Sequence, residues 1–371
     1  MIDKFQARRY GYLMYQEASV TAARSHRVPS MQAYVLVRPG EIELCELPRP
    51  VPGPDEVVVR VGAALTCGTD VKAFLRGHPK FPMPTPFGHE FSGEVAAVGS
   101  RVRRFREGDG IMAVPTAPCG TCYYCHRQQE NLCETVMDTM VLGAYAEYLK
   151  LPGRLVNVNA YPKPSGLPAA VAALLEPLAC VLHGLESVAL RRDDTAVLIG
   201  AGAISLLHLL VLRAMGLDRI LVLGRRAPRA QYAKQLGADA VVLGGIPAGH
   251  DQVMAYTRGR GADVVIECTG QIEVWEAAPA LARRGGYVVL FGGCSPGEQA
   301  CFDTQRLHYD QLRIISPFHF TPRAVRRAYD MLTSDTFEGE ALISGLYPLK
   351  DLAQALAEHQ RGDGIKFAVV P

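Results

Sequence analysis

The chain has 371 residues, 49% of them hydrophobic, and its 39 basic and 37 acidic residues leave a formal net charge of +2. Because a chain of this length exceeds the size at which a single hydrophobic core stops growing, two domains are expected. The balanced charge gives no electrostatic basis for binding nucleic acid or an anionic membrane, so the expected partner is a small molecule.

The first 30 residues have neither the layout of a secretory signal nor a clear hydrophobic periodicity, since charged side chains such as Asp3, Arg8 and Glu17 interrupt the apolar runs. We interpret residues 1–30 as an N-terminal extension of unknown role and expect a cytoplasmic protein. The ten cysteines of such a chain favour metal or thiol chemistry over a disulfide scaffold.

Short strand-like runs separated by Gly and Pro turns follow, at residues 33–37, 56–61 and 93–98. They predict a β-rich lobe. Within it four cysteines form the pattern Cys-x2-Cys-x2-Cys-x7-Cys: Cys119, Cys122, Cys125 and Cys133. Four thiolates at this spacing can close a tetrahedron around a structural zinc ion. An iron-sulfur cluster is the alternative, but its bacterial pattern continues with a gap of about three residues and Cys-Pro. His126, inside the lobe, is expected to be solvated.

Beyond residue 164 the pattern changes. Residues 167–190 have helical apolar spacing, and then strand-like runs at 196–200, 219–223, 240–243, 264–267 and 287–291 alternate with helical ones. This alternation predicts an α/β fold with a doubly wound parallel sheet. Residues 196–212 are almost apolar enough for a membrane span, but Gly200 and Gly202 interrupt them, so we predict a buried strand followed by a buried helix. Helices at 324–332 and 349–360 and a strand at 366–370 complete the chain.

The turn after the first strand of this sheet carries a glycine fingerprint running from Gly200 through Gly202, Ala203 and Ile204 to Ser205. Gly200 permits the tight turn, and Gly202 lets the backbone approach a dinucleotide pyrophosphate at the helix N-terminus. Ser205 replaces the third glycine, so we expect a slightly wider contact between helix and strand with binding retained.

The second strand of the sheet ends at Gly224, where NAD enzymes carry an acid for the ribose 2′-hydroxyl, and Arg225 and Arg226 follow. Without that carboxylate a 2′-phosphate is not repelled, and neighbouring guanidinium groups can bind it. The pattern predicts a preference for NADP(H) over NAD(H). The alternative is that both arginines are merely solvated.

Three further motifs are weak individually. Cys67 precedes Gly-Thr69-Asp, His89 and Glu90 follow Gly88, and Glu176 lies in Leu-Glu-Pro. Taken in this order, together with the four-cysteine lobe, they resemble the medium-chain dehydrogenase/reductase superfamily, and within it the zinc-dependent alcohol and polyol (sorbitol-like) dehydrogenases. The resemblance covers about residues 31–371.

The resemblance implies a Rossmann NADP-binding domain at residues 181–320 and a β-rich, GroES-like zinc catalytic domain at residues 31–180. Residues 321–371 would return to the catalytic domain. The family associates through edge strands of the cofactor domain and through the structural zinc lobe, so a homodimer or a homotetramer is expected.

The resemblance also implies site residues. Cys67, His89 and Glu90 would bind a catalytic Zn²⁺, with Glu176 binding directly or through water, while Thr69 would relay the proton. The nicotinamide half of the cofactor would be held by Thr269, Gly270, Phe291 and Gly292, and the substrate would be contacted by Phe74 and His319. Cys119, Cys122, Cys125 and Cys133 would hold the second, structural zinc.

The implied activity is hydride transfer between NADP and the CH–OH group of a secondary alcohol that is a polyol, a sugar or cyclitol-like. The zinc ion would make the alcohol proton easier to remove. Two alternatives stay open: a ketone reductase driven by NADPH, and a non-enzymatic binding protein on the same fold.

Overall fold

The computed structural model describes residues 29–334 and 336–371, so nearly all of the extension predicted at residues 1–30 lies outside the described residues. The chain forms two compact units. Among the described residues, the first unit combines those up to Glu176 with Ile343–Pro371, and the second is Pro177–Leu342. No helix among the described residues has both the length and the apolar character needed to cross a bilayer.

The described strands are β1 (Ser30–Arg38), β2 (Glu41–Pro48), β3 (Val57–Leu65), β4 (Thr85–Pro86), β5 (Phe91–Val98), β6 (Gly110–Ala113), β7 (Tyr148–Leu151), β8 (Ala160–Pro162), β9 (Thr195–Ile199), β10 (Arg219–Gly224), β11 (Ala240–Leu243), β12 (Ala262–Glu267), β13 (Ala282–Leu290), β14 (Arg313–Ile315), β15 (Ile343–Pro348) and β16 (Lys366–Val370).

The described α-helices are α1 (Gly68–Arg76), α2 (Tyr123–His126), α3 (Gly153–Val158), α4 (Ala169–Ala172), α5 (Leu175–Leu185), α6 (Ala203–Ala214), α7 (Ala227–Gln235), α8 (Gly245–Tyr256), α9 (Ile272–Ala277), α10 (Thr304–Tyr309), α11 (Pro322–Leu332) and α12 (Leu352–Arg361). Short 3₁₀ turns lie at Glu130–Leu132, Ala278–Leu281, Gly339–Leu342 and Leu349–Asp351.

The first unit is β-rich. One antiparallel sheet has the order β2-β1-β4, and a seven-stranded sheet has the order β15-β16-β3-β5-β6-β8 with β7 also pairing with β3. Alternate side chains of β3, Val57, Val59 and Val61, are buried in a core to which Phe87 and Phe91 also contribute. The C-terminal strands β15 and β16 extend this sheet, so the two ends of the described chain meet in one unit.

The second unit contains six parallel strands in the order β11-β10-β9-β12-β13-β14. The order reverses between β9 and β12, and ligands of such sheets bind beyond the carboxyl ends of the strands at this point. The apolar run at 196–212 forms β9 and most of α6, as predicted. The fold class predicted from the sequence, a doubly wound Rossmann sheet with a β-rich GroES-like domain, is confirmed.

Two details differ from the sequence-based expectations. The helical pattern at 167–190 forms two helices, α4 and α5, because Pro177 has no N–H with which to bond the carbonyl four residues earlier. Residues 321–342, expected to return to the catalytic domain, belong to the second unit, and the first division lies at Glu176 rather than residue 180. Helix α11 buries Ala324, Val325 and Ala328 there. Its apolar spacing predicts a helix but does not indicate which unit it covers.

Candidate active site and cofactor site

Three of the predicted zinc ligands come together in the first unit. Ligand atoms of Cys67, His89 and Glu90 all lie within 4.8 Å of one another. Strands β3 and β5 are antiparallel, with Ala64 opposite Phe91. Cys67 follows β3 and caps the N-terminus of α1, while His89 and Glu90 immediately precede β5. The sheet register therefore brings two distant motifs side by side.

His89 is oriented by a buried carboxylate that the sequence-based assignment left without a role. Its Nδ1 lies 3.0 Å from Oδ1 of Asp70, and the two residues are 5% and 0% exposed. Burial lowers the pKa of His89, but Asp70 and the Cys67 thiol outweigh burial and raise the pKa well above its usual value. The pairing assigns the ring proton to Nδ1 and leaves Nε2 as the atom able to bind a cation.

Glu90 is paired with a buried lysine. Nζ of Lys366, in β16, lies 2.5 Å from Oε2 of Glu90 and also donates to the Thr66 carbonyl at 3.2 Å. Oε1 of Glu90 is buried and has no hydrogen-bond partner among the described residues. Burial and, to a lesser extent, the nearby Glu176 carboxylate raise the pKa of Glu90 to about 7, although Lys366 opposes the shift. Glu176 is itself 9% exposed.

These observations fit a cation site. Burial, and then the Glu90 carboxylate, raise the pKa of the Cys67 thiol, so the cluster holds groups that ionise more easily when a cation is bound. A thiolate, an imidazole and carboxylates are a donor set used by zinc. The unpartnered Glu90 oxygen supplies an acceptor at the same place. Of the two candidate carboxylates, Glu90 belongs to the cluster of ligand atoms within 4.8 Å.

The other residues expected near this site take different positions. Thr69 lies in the first turn of α1, where its backbone N–H donates to the Cys67 sulfur at 3.4 Å. Phe74, five residues further along α1, is half-buried and packs against the core of the first unit. His319, the other expected substrate contact, belongs to the second unit and stacks on Phe320 with ring centroids 3.9 Å apart. The substrate assignments of Phe74 and His319 stay predictions.

The four cysteines of the lobe form a second cluster. Ligand sulfurs of Cys119, Cys122, Cys125 and Cys133 all lie within 4.8 Å of one another, and no disulfide bond forms among the described residues. Gly120, with φ +76°, makes the turn between the first two. His126 is exposed, as expected. The spacing in the sequence thus brings four soft donors together, which is the arrangement that zinc binds in structural sites.

Hydrogen bonds favour the thiolate at two of these sulfurs. The backbone N–H and hydroxyl of Thr121 lower the pKa of Cys119 to about 5. Burial raises the pKa of Cys133, but backbone donors outweigh it and the net shift is downward. The Arg154 guanidinium lies 3.5 Å from the Cys133 sulfur and also contacts Thr135 and the Pro118 carbonyl. Arg154 was missed in the sequence because it lies 21 residues beyond Cys133.

The glycine fingerprint of the second unit has the expected backbone. Gly200, with φ +107°, makes the turn after β9, and a Cβ there would lie 3.2 Å from the Thr269 side chain. Gly202 occupies the N-cap of the twelve-residue α6 and offers no side chain to its first N–H groups. Ser205 is fully buried and its hydroxyl donates to the Gly200 carbonyl at 2.7 Å. The serine therefore closes the turn by a hydrogen bond. Ala203 and Ile204 open α6.

The end of β10 presents a group of arginines. Gly224 is buried beside Ala201, and Arg225 and Arg226 are exposed after it. Arg229, in the first turn of α7, places Nη1 3.8 Å from the point where a Cβ on Gly202 would lie. Arg229 thus brings a positive charge close to the fingerprint turn. It is a residue that sequence reasoning missed.

The loops after β12 and β13 are joined through Glu267. This buried carboxylate accepts hydrogen bonds from the Thr269 N–H and hydroxyl and from the Gly270 N–H. Burial, opposed by the bonds from Thr269 and Gly270, raises its pKa. A Cβ on Gly292 would lie 2.3 Å from the Gly270 nitrogen, so the two loops meet at their backbones. Phe291 and Gly292 both donate their N–H to the Glu267 carbonyl. Glu267 has no role in the sequence-based assignment.

Comparison with known proteins identifies the two units. Residues 53–161 match the family described as alcohol dehydrogenase GroES-like domain, and residues 203–334 match the family described as zinc-binding dehydrogenase. The chain is 32% identical to D-altritol 5-dehydrogenase of Agrobacterium fabrum over 87% of this chain and 94% of that protein. It is 28% identical to sorbitol dehydrogenase of Bacillus subtilis over 94% and 99%.

A solved structure shows the same architecture. A zinc-binding dehydrogenase of Sinorhizobium meliloti bound to NADP matches with a TM-score of 0.83 and 31% identity, over 92% of this chain and 100% of that one. The resemblance found in the sequence is confirmed by these matches. The chain belongs to the medium-chain, zinc-dependent alcohol dehydrogenase family and is an oxidoreductase acting on CH–OH groups.

Proposed function

We propose that the protein transfers hydride between a polyol-like secondary alcohol and NADP at a zinc site formed by Cys67 and His89 with Glu90 or Glu176. The observation that carries this proposal is the convergence of Cys67, His89 and Glu90 ligand atoms within 4.8 Å. A zinc ion bound there acts as a Lewis acid that favours removal of the alcohol proton and polarises a ketone. Asp70 holds the His89 ring in place, and Lys366 keeps one oxygen of Glu90 engaged.

Thr69 is the proposed proton relay. It lies two residues after Cys67, and its half-buried position allows a hydroxyl to take part in a hydrogen-bonded chain from the reacting oxygen toward the ribose and solvent. A Thr hydroxyl both donates and accepts, which a relay requires.

The proposed cofactor preference is NADP(H). Gly224 places no carboxylate beside the adenosine ribose, and the Arg225 and Arg226 guanidinium groups follow it. The Sinorhizobium relative bound to NADP supports the same preference. The pyrophosphate would lie on the N-terminus of α6 at Gly202, Ala203 and Ile204, and the nicotinamide half on the loops with Thr269, Gly270, Phe291 and Gly292.

The four-cysteine cluster is proposed to hold a second, structural zinc. Its sulfur donors leave no position for substrate, and two of the thiols have lowered pKa values.

The proposed substrates carry several hydroxyl groups. Two relatives, named D-altritol 5-dehydrogenase and sorbitol dehydrogenase, act on polyols by name. Phe74 and His319 are proposed substrate contacts.

Reduction of the corresponding ketone by NADPH is the second candidate function, favoured by the arginines after Gly224. Membership in a family of dehydrogenases argues against a purely binding role.

A homodimer or homotetramer is also proposed, because the family associates in this way, and light scattering tests the oligomeric state. The cytoplasmic location stays a prediction.

The test is steady-state kinetics with polyols and ketones, using NADP(H) and NAD(H), on protein of measured zinc content. We expect kcat/KM to be higher with NADP(H), and the double variant Arg225→Ser/Arg226→Ser to lose about tenfold or more of it with NADP(H) while activity with NAD(H) changes little. The matched control is Arg260→Ser, which removes an exposed arginine elsewhere in the second unit. Equal efficiency with both cofactors in the wild type would disprove the preference.

A further inference from the structure

The Asp70 carboxylate, which orients His89, is held by a second side chain, that of Tyr145. Asp70 is 0% exposed, so its oxygens depend on protein donors rather than water. Oδ1 faces Nδ1 of His89, and Oδ2 accepts a hydrogen bond from the Tyr145 hydroxyl at 2.7 Å. A carboxylate held at one oxygen can turn about its Cβ–Cγ bond. Held at both, its plane is fixed, and the direction of the His89 ring is fixed with it.

Tyr145 is itself held rigidly. Its ring is 0% exposed and meets Phe87 edge to face, with centroids 5.3 Å apart. Its backbone N–H donates to the Phe87 carbonyl at 3.0 Å, two residues before His89. Gly88 leaves room for the ring, since a Cβ there would lie 2.7 Å from it.

The same hydroxyl reaches the segment that carries the other ligand. It lies 3.0 Å from the carbonyl of Leu65, two residues before Cys67. One side chain therefore contacts the backbone leading to Cys67, the backbone leading to His89 and the carboxylate that orients His89.

We propose that Tyr145 is a positioning residue of the candidate catalytic metal site, acting through Asp70 to set the direction of His89. The inference rests on the proposed metal site of Cys67, His89 and Glu90. It extends the site by one residue that touches no ligand atom directly.

Removing the hydroxyl should weaken metal binding. In Tyr145→Phe, Oδ2 of Asp70 stays buried without its side-chain donor, and the Asp70–His89 pair becomes free to adopt other orientations. Loss of an outer partner of a metal-binding histidine typically costs about 10-fold to 100-fold in metal affinity. We expect a loss in this range and a changed cobalt(II) absorption spectrum.

The experiment is titration of metal-free full-length protein with cobalt(II), followed by absorption, in the wild type, Tyr145→Phe and Tyr34→Phe. Tyr34 is the matched control. It belongs to the same unit, is 6% exposed, and its hydroxyl donates to the Lys350 carbonyl at 2.9 Å. The signal of the candidate catalytic site is obtained by subtracting the spectrum of Cys67→Ser, because the four-cysteine cluster also binds cobalt.

A structural role and a positioning role give different results. If Tyr145→Phe and Tyr34→Phe both lose unfolding free energy but keep the wild-type cobalt affinity and spectrum, the proposal is overturned. If the wild type shows no cobalt signal that depends on Cys67, the proposed metal site itself is wrong. If the wild type shows the Cys67-dependent cobalt signal and Tyr145→Phe leaves it unchanged, the positioning role of Tyr145 is refuted while the proposed metal site is retained.

A second variant tests whether Tyr145 acts through Asp70. Asp70→Asn should lower cobalt affinity at least as much as Tyr145→Phe. Because Tyr145 acts through Asp70, adding Tyr145→Phe to Asp70→Asn should lower the affinity little further. A full additional loss in the double variant would show that Tyr145 acts by another route.

Discussion

Lys366 is the first residue of β16 and is only 1% exposed, and its charge is balanced by the Glu90 carboxylate. Burial lowers the pKa of Lys366, but Glu90 and the Cys67 thiol outweigh burial and raise it. Both charged groups are buried away from water, so each charge depends on the other for its stabilisation. The ion pair therefore stabilises the protein whether or not a metal ion is bound nearby.

Lys366→Met should lower the unfolding free energy by about 3–5 kcal/mol, because it leaves the buried Glu90 carboxylate without its counter-charge. The double variant Lys366→Met/Glu90→Gln should recover part of the loss. Urea denaturation measures both. A single variant as stable as the wild type would show that the two groups are not a charged pair.

Sequence reasoning pointed to the candidate metal ligands and missed the residues that contact them, for a physical reason. Cys67 and His89 each lie in a short motif that resembles known ligand motifs. The partners are far apart in the chain: Tyr145 lies 75 residues from Asp70, and Lys366 lies 276 residues from Glu90. Only the sheet register brings them together, and no local pattern encodes such a contact.

At the scale of single elements, the turn before β5 depends on Gly88. It has φ +90°, and a Cβ there would lie 2.7 Å from the Tyr145 ring. Gly108 has φ +87° but nothing within 4 Å of its would-be Cβ. Substitutions at the two glycines therefore distinguish the cost of backbone strain from the cost of steric overlap.

We therefore predict that Gly108→Ala costs about 1–2 kcal/mol of unfolding free energy, the cost of a left-handed conformation in a residue with a Cβ. Gly88→Ala should cost roughly 2 kcal/mol more, because the Tyr145 ring must also move. Denaturant unfolding of the two variants in parallel gives the difference. Equal losses would mean that the ring moves aside without cost.

Helix α6 buries a histidine against the Rossmann sheet. His208 is 0% exposed, its Nδ1 donates to the Ile204 carbonyl at 2.9 Å, and its ring meets Phe291 edge to face. Among the described residues Nε2 has no hydrogen-bond partner. Burial lowers the pKa of His208 to about 4, and the Ile204 carbonyl opposes this only in part.

This predicts a loss of stability in acid. Because the folded-state pKa of about 4 lies below the unfolded value of about 6.5, the unfolded chain binds more protons between them. The contribution of His208 is thus present above about pH 6.5 and is lost as the pH falls toward about 4. Between about pH 7 and about pH 5 the loss should be about 2 kcal/mol.

His208→Gln should flatten the pH dependence of unfolding by this amount, as measured by urea denaturation across the range. His250→Gln, which removes a side chain that is 44% exposed, is the control and should leave the slope unchanged. An unchanged slope in His208→Gln would show that its pKa is not lowered.

Strands and helices were predicted well where the pattern is local. The strands predicted at 240–243 and 366–370 coincide with β11 and β16. The helical pattern at 167–190 was broken by Pro177, and residues 321–342, expected in the first unit, lie in the second. Periodicity reports which face of a helix is buried, while the partner that buries it depends on tertiary packing.

For the whole molecule we predict about two zinc ions per chain, with different consequences of removing each. Cys67→Ala should lose one zinc and nearly all turnover while keeping the wild-type circular dichroism spectrum. Cys119→Ser should also lose one zinc but lower the melting temperature, because the four-cysteine lobe depends on its ion for closure. Elemental analysis, kinetics and thermal unfolding distinguish the two. A Cys67→Ala variant that retains full activity would refute the catalytic assignment.

The discontinuity of the first unit also has a consequence during synthesis. The second unit, Pro177–Leu342, is one uninterrupted stretch and can fold as soon as it leaves the ribosome, because domains generally fold as units during translation. The first unit must wait for β15 and β16, since β16 pairs with β3 and supplies the counter-charge of Glu90. The first unit is thus begun early and completed late, and a nascent polypeptide stalled before Lys366 would carry a complete second unit and an incomplete first unit.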